Sequence, residues 1–159
     1  MTRIMFVCHG NICRSPMAEF IFKALVAEKG LSDRFYISSS ATSTEEIWGD
    51  RGNPVYPPAR QELARHGIGC EGKRAVQLSR ADADKYDMFI GMDSANIRNM
   101  RRMLGESVTD RIYKLMSFAG SDADVSDPWY SDRFDVAYAD IRRGCEALLE
   151  YLIERNDIR

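Results

Sequence analysis

Apolar side chains along this chain switch between short unbroken runs and helical spacing, and each switch marks an element. Ile4-Met5-Phe6-Val7 is an uninterrupted apolar run, the form of a strand buried on both faces. Residues 16–29 then place Met17, Phe20, Ile21, Ala24 and Leu25 at i, i+3, i+4, i+7 and i+8. That spacing predicts a helix with one buried face, stopped by Gly30. Phe35-Tyr36-Ile37 reads as a second strand running into a polar turn from Ser38 to Thr44. Glu45 to Pro58 is rich in Gly, Pro and charge around Trp48, which predicts an ordered loop or lid. A helix follows from Pro58 to near Gly67, then a short one over Ser79–Tyr86 with Ser79 as N-cap. Met88-Phe89-Ile90 repeats the buried-strand form, Ser94–Leu104 is basic and helical, and Ile112–Met116 reads as the fourth strand. The last helix carries Tyr138, Ile141, Cys145, Leu148, Leu149 and Leu152 on one side. This alternation predicts an α/β fold over residues 1–159: a single-domain, open, mostly parallel four-stranded twisted sheet with helices on both faces.

In such folds ligands bind at the carboxyl ends of the strands, and the first strand ends in the most unusual segment of the chain. Cys8-His9-Gly10-Asn11-Ile12-Cys13-Arg14-Ser15-Pro16 sets a cysteine and an arginine with five residues between them and closes on Ser-Pro. Ser15 is placed as an N-cap, with Pro16 at the first helical position. A turn between strand end and helix start gathers backbone N–H groups at one spot, where the helix dipole favours an anion. Gly10 permits a backbone conformation that a side chain forbids, and Asn11 tolerates positive φ. Arg14 offers a rigid two-pronged donor for two phosphate oxygens. Cys8 sits at the mouth, where surrounding donors favour the thiolate. The pattern is that of a loop that holds a phosphate and attacks it through sulfur. It differs from the nucleotide-binding G-x-x-x-x-G-K-[ST] loop, having no lysine and a nucleophile where none is needed.

A phosphate so held needs a proton donor for its leaving oxygen. Asp127, followed by Pro128-Trp129-Tyr130, lies between the fourth strand and the last helix, on the rim of Cys8 if the strands are parallel. Its aromatic neighbours suit the wall of an aryl pocket. Cys8 and Cys13 lie on two sides of one tight loop, so a reversible disulfide between them is expected under oxidation.

Composition narrows the picture without changing it. The chain has 159 residues with 22 basic against 24 acidic side chains, a formal net charge of −2, so nucleic acid is not expected as a partner. The four cysteines form no C-x-x-C pair, and neither a metal nor a cofactor is expected. No apolar run approaches the ~20 residues of a membrane span, and no leader precedes the first strand. A cytoplasmic, reducing setting and no membrane partner follow as expectations.

With these residues in view, the chain resembles the low-molecular-weight protein tyrosine phosphatases over nearly its whole length. Further matching segments are Ser39-x-Ala41-Thr42, Gly52-Asn53-Pro54, Arg65-His66-Gly67-Ile68, Tyr86-Asp87, Met92-Asp93-x-x-Asn96 and Asp127-Pro128. The resemblance implies Cys8 as nucleophile, Arg14 as phosphate clamp, Ser15 as hydroxyl donor to the thiolate, and Asp127 as general acid and then base. It also implies that Asn11, Ser39 and His66 brace the loop through hydrogen bonds, and that phosphotyrosine proteins or small aryl phosphates are the substrates of a monomer or weak dimer. Two departures stand out: His9, where an aliphatic or small residue is common, and a longer Glu45–Arg51 segment. Trp48, Trp129 and Tyr130 are the expected pocket rim. An arsenate reductase is disfavoured because Cys70 and Cys145 are 75 positions apart. A protein arginine phosphatase is disfavoured because aliphatic Ile12 offers a guanidinium no polar partner. Arg14 and Asp127 argue against a phosphocarrier, which needs no acid that also activates water. A non-catalytic binding module would be signalled by loss of Cys8 or Asp127, both of which are present.

Overall fold

The computed structural model describes residues 1–155. Strands β1 (Thr2–Cys8), β2 (Phe35–Ala41), β5 (Met88–Gly91) and β6 (Ile112–Lys114) form one sheet in the order β2-β1-β5-β6, with every pairing parallel. The fold class read from the alternation is the one observed. Period-two alternation divides β1 between two cores. Ile4 and Phe6 face the helices α1 (Arg14–Glu28), α2 (Pro57–Arg65) and α5 (Phe134–Glu154), whereas Met5 and Val7 face α3 (Ser94–Leu104). Phe22 joins the first core edge-on to Phe6 and Phe35, with ring centroids 5.8 and 5.4 Å apart. Because α1 is enclosed by the sheet and α5, Ala18, Phe22 and Val26 are buried beyond the single stripe its spacing suggests.

The chain leaves β1 for β2 on one side and later returns to β5 on the other. The segment after β1 therefore lies at the point where the strand order reverses, the crevice in which open α/β sheets hold ligands. Among the described residues no helix is long and apolar enough to cross a membrane.

Several local expectations are corrected. Helix α1 begins at Arg14 with Cys13 before it, so Ser15 is not its N-cap; the Ser15 hydroxyl turns back to Cys8 instead. The fourth strand ends at Lys114, and Leu115–Ala119 winds into a 3₁₀ turn closed by Gly120 in the left-handed region. The segment after Ser79 is likewise a 3₁₀ turn, Arg80–Asp84, whose start is held by Ser79 N donating to Asp82 Oδ2 at 2.9 Å. The long loop after β2 folds into a small hairpin, β3 (Ile47–Trp48) against β4 (Arg51–Gly52). Gly52 is needed there for close approach: a β-carbon would fall 1.8 Å from Ala75 O.

Candidate active site

Residues 8–14 form a tight loop between β1 and α1, closed against neighbouring backbone. Thr42 N and Ser43 N donate to Cys8 O and His9 O, and Tyr56 N donates to Ile12 O. Asn11 adopts φ +59°, the left-handed conformation expected of it. Gly10 does not adopt that conformation; an added β-carbon there would stand 3.3 Å from Glu46 Cγ, a tight contact with a side chain. Cys8 Sγ lies 3.0 Å from Ser15 Oγ and accepts Asn11 N at 3.3 Å.

Behind the loop runs a buried polar chain. Asn11 Nδ2 donates to Ser15 Oγ at 2.8 Å and to Ser39 Oγ at 3.0 Å, while its Oδ1 accepts Val76 N. Ser39 Oγ donates to Glu19 Oε1 at 2.6 Å. Lys73 Nζ donates to Ser39 O at 2.9 Å and lies 3.7 Å from Glu19. Burial pushes the Lys73 ammonium below its ordinary value, against the pull of Glu19. Asn11 and Ser39 thus occupy the bracing positions expected of them. His66 does not. It stacks on Tyr138 at 3.7 Å between centroids and meets Glu62 at 3.1 Å, because α2 turns its last residues toward α5. Glu19 and Lys73 stand in the chain instead, and neither was singled out in the sequence.

Arg14 is almost fully buried at the far end of the loop. Its NH1 donates to Asp93 Oδ2 at 2.8 Å and to Val125 O at 2.9 Å, and its NH2 lies 3.5 Å from Asp127 Oδ2. Burial works against its charge, but Cys8, Asp93 and Asp127 outweigh it and hold the guanidinium above its ordinary pKa. Asp93 serves two elements, since its Oδ1 caps α3 through Asn96 N. Asp127 caps the one-turn α4 (Pro128–Ser131) through Trp129 N at 3.1 Å, and Asp132 in the left-handed region ends that turn. This fixes the carboxylate over the loop. Cys13 is also buried beside the cavity. Its thiol is pushed far up, first by burial and then by the Cys8 and Asp127 charges.

These groups surround a cavity of about 180 Å3 with Cys8, Arg14 and the loop at its floor and Asp127, Trp129 and Tyr130 on one side. Trp129 rests against Tyr56, centroids 4.9 Å apart. Trp48 does not line the cavity and is 72% exposed. In the hairpin its neighbour Ile47 turns toward the core, so period-two alternation sends Trp48 to solvent. The wall expected of Trp48 is made by Glu45 and Glu46, and Glu45 Oε2 meets His9 Nε2 at 3.0 Å. His9 is thereby placed on the rim. Among the described residues no group of His, Cys, Asp and Glu is arranged to hold a metal ion.

Chemically, a sulfur nucleophile, a forked cation and a carboxyl group converge on one anion-sized seat. The model of a family described as low molecular weight phosphotyrosine protein phosphatase matches residues 3–157. The low molecular weight protein-tyrosine-phosphatase YfkJ of Bacillus subtilis is 42% identical over 151 residues, covering 94% of this chain and 94% of that protein. The low molecular weight phosphotyrosine protein phosphatase of Rattus norvegicus is 35% identical over 153 residues, covering 92% and 93%. The crystal structure of the Bacillus subtilis YfkJ superposes with a TM-score of 0.88 at 40% identity, covering 98% of this chain and 96% of that one.

Proposed function

We propose, for a chain that belongs to the low molecular weight phosphotyrosine protein phosphatase family, that Cys8, Arg14 and Asp127 divide the hydrolysis among them. The protein is a phosphotyrosine phosphatase of that class and works through a cysteinyl-phosphate intermediate. In the first step Cys8 Sγ forms a bond to phosphorus as the bond to the tyrosyl oxygen breaks, and Asp127 gives that oxygen its proton. Arg14 spans two of the equatorial oxygens, where charge spreads in the transition state. In the second step Asp127 takes a proton from water, whose oxygen attacks phosphorus, and Cys8 leaves as thiolate. The Ser15 hydroxyl donates to that sulfur, and Asn11, Ser39, Glu19 and Lys73 hold the loop in shape. His9, Gly10, Ile12 and Cys13 line the seat, and Trp129 with Tyr130 flank the ring. We take residues 1–159 as one such domain, cytoplasmic because attack by Cys8 needs a setting that keeps its thiol reduced, and a monomer or weak dimer.

The observation that carries this assignment is the convergence of Cys8, Arg14 and Asp127 on one small cavity, with Ser15 Oγ 3.0 Å from the sulfur. Phosphotyrosine, phosphoserine and phosphoarginine peptides assayed side by side test it. Phosphotyrosine should be turned over strongly in preference to the other two, and Cys8→Ser should abolish all turnover. Preferred release from phosphoarginine would overturn the substrate assignment, and an active Cys8→Ser would overturn the nucleophile.

A further inference from the structure

We propose that Glu45 and Glu46 make the mouth of this site select phosphotyrosine segments carrying Lys or Arg beside the phosphorylated residue. The proposal rests on the phosphotyrosine reading and adds the charge of the substrate to it. The residues that follow the nucleophile each lie under a glutamate: Glu45 Oε2 reaches His9 Nε2 at 3.0 Å, and Glu46 Cγ lies 3.3 Å from the position of a β-carbon on Gly10. Both glutamates line the cavity together with Asp127. Among the lining residues Arg14 is the side chain that carries a fixed positive charge. Arg14 is buried on the floor, held by Asp93 and Val125 and committed to the phosphate. His9 is engaged by Glu45. The seat of the phosphate is thus cationic and its mouth anionic.

The carboxylates at the mouth oppose the entry of a segment whose tyrosine is flanked by acidic residues, although the seat below attracts its phosphate. A segment that brings its own cation turns the same carboxylates into attraction. The glutamates are also well placed to hold one. Asn53 Nδ2 donates to Glu46 Oε1 at 2.9 Å, and Asn53 N donates to Glu46 O, which fixes that residue at the base of the hairpin. Glu45 is exposed and open to a long side chain. Trp129 and Tyr130 across the cavity offer aromatic faces along which an Arg or Lys stem can lie.

The test uses two phosphotyrosine peptides that differ only in having Lys or Glu on each side of the phosphotyrosine. The parent enzyme should favour the Lys peptide in kcat/KM by about tenfold at low salt, the scale of two exposed charge contacts, and by less at high salt. The double substitution E45Q/E46Q keeps the acceptor for Asn53 and should bring the ratio to near one. Because the ratio is taken on one variant, a general loss of activity cancels. A ratio in E45Q/E46Q equal to that of the parent, or a parent that favours the Glu peptide, overturns the proposal. A parent that hydrolyses p-nitrophenyl phosphate but neither peptide overturns the phosphotyrosine reading itself, and the proposal falls with it.

Discussion

Asp93→Asn separates two tasks that one carboxylate performs. Its Oδ1 accepts Asn96 N at 2.8 Å and caps α3, while its Oδ2 accepts Arg14 NH1 at 2.8 Å and aims the guanidinium at the phosphate seat. Asparagine caps a helix about as well as aspartate. With its oxygen kept on Asn96, however, it presents an NH2 group to Arg14, donor against donor. A hydrogen bond to a charged group contributes ~1.5–3 kcal/mol, which is about one to two decades in rate. The Asn variant should therefore lose ~10–100-fold in kcat/KM on p-nitrophenyl phosphate, mostly in kcat, because Arg14 engages charge that develops in the transition state. Its thermal midpoint should also fall, because the bond to the buried guanidinium is lost in the folded state, with Val125 O limiting the loss. Asp93→Ala removes the cap as well, at a further ~1 kcal/mol, or ~2–4 °C for a chain of this size. Kinetics and thermal melts on both variants read the two tasks separately. Parental kcat/KM in the Asn variant would show that Arg14 is aimed without Asp93, and equal midpoints for Asn and Ala would remove the capping half of the argument.

The other predictions touch the acid, the second loop thiol and a surface pair. Asp127→Asn should slow phosphotyrosine peptides far more than p-nitrophenyl phosphate, whose leaving group needs little protonation; equal damage to both would refute the acid assignment. Cys13 is a buried thiol whose proton is held by its surroundings, so after mild peroxide its attack on an oxidised Cys8 should quicken as pH rises. Recovery with thiol reductant should be complete in the parent and partial in Cys13→Ser, and full recovery in both would refute the protective role. Asp124 is held below its ordinary 3.8, first by its hydrogen bond to Lys114, whose Nζ lies 2.7 Å away. A carboxylate depressed in the folded state contributes stability above its unfolded pKa and loses it as pH falls through the folded value. Asp124→Asn should then cost less than ~1 kcal/mol in urea denaturation at neutral pH, the pair being partly exposed, and progressively less as pH falls below 3.8 through the folded value. A difference that persists in acid would refute that sign.

What could be read from the chain was local. The loop from Cys8 to Arg14 carries its chemistry in consecutive residues, so residue type and order assign the proposed nucleophile and clamp, as they do the positive φ that Asn11 adopts. The four parallel strands follow from apolar runs separated by helical spacing, and the sheet order then places the loop at the reversal point. What could not be read depends on contacts between distant segments. Arg14 meets Asp93 across 79 positions and Val125 O across 111, and nothing near either partner announces the pairing. Asp93 is legible only as a helix cap, one of its two tasks. His66 and Lys73 illustrate the same limit from both sides. Each is a basic residue in one stretch after α2, but α2 carries His66 onto Tyr138 while the following segment returns Lys73 to Ser39 beneath the loop. Trp48 failed for a smaller reason: one step of register in a two-residue strand decides whether a side chain faces core or water, and Ile47 took the core. The division has a functional consequence. The groups that seize the phosphate are written contiguously, whereas those that aim Arg14, brace Asn11 and charge the mouth come from α1, α3, the hairpin and the segment before α4. Substitutions there can change substrate choice and rate while leaving the phosphate loop itself intact.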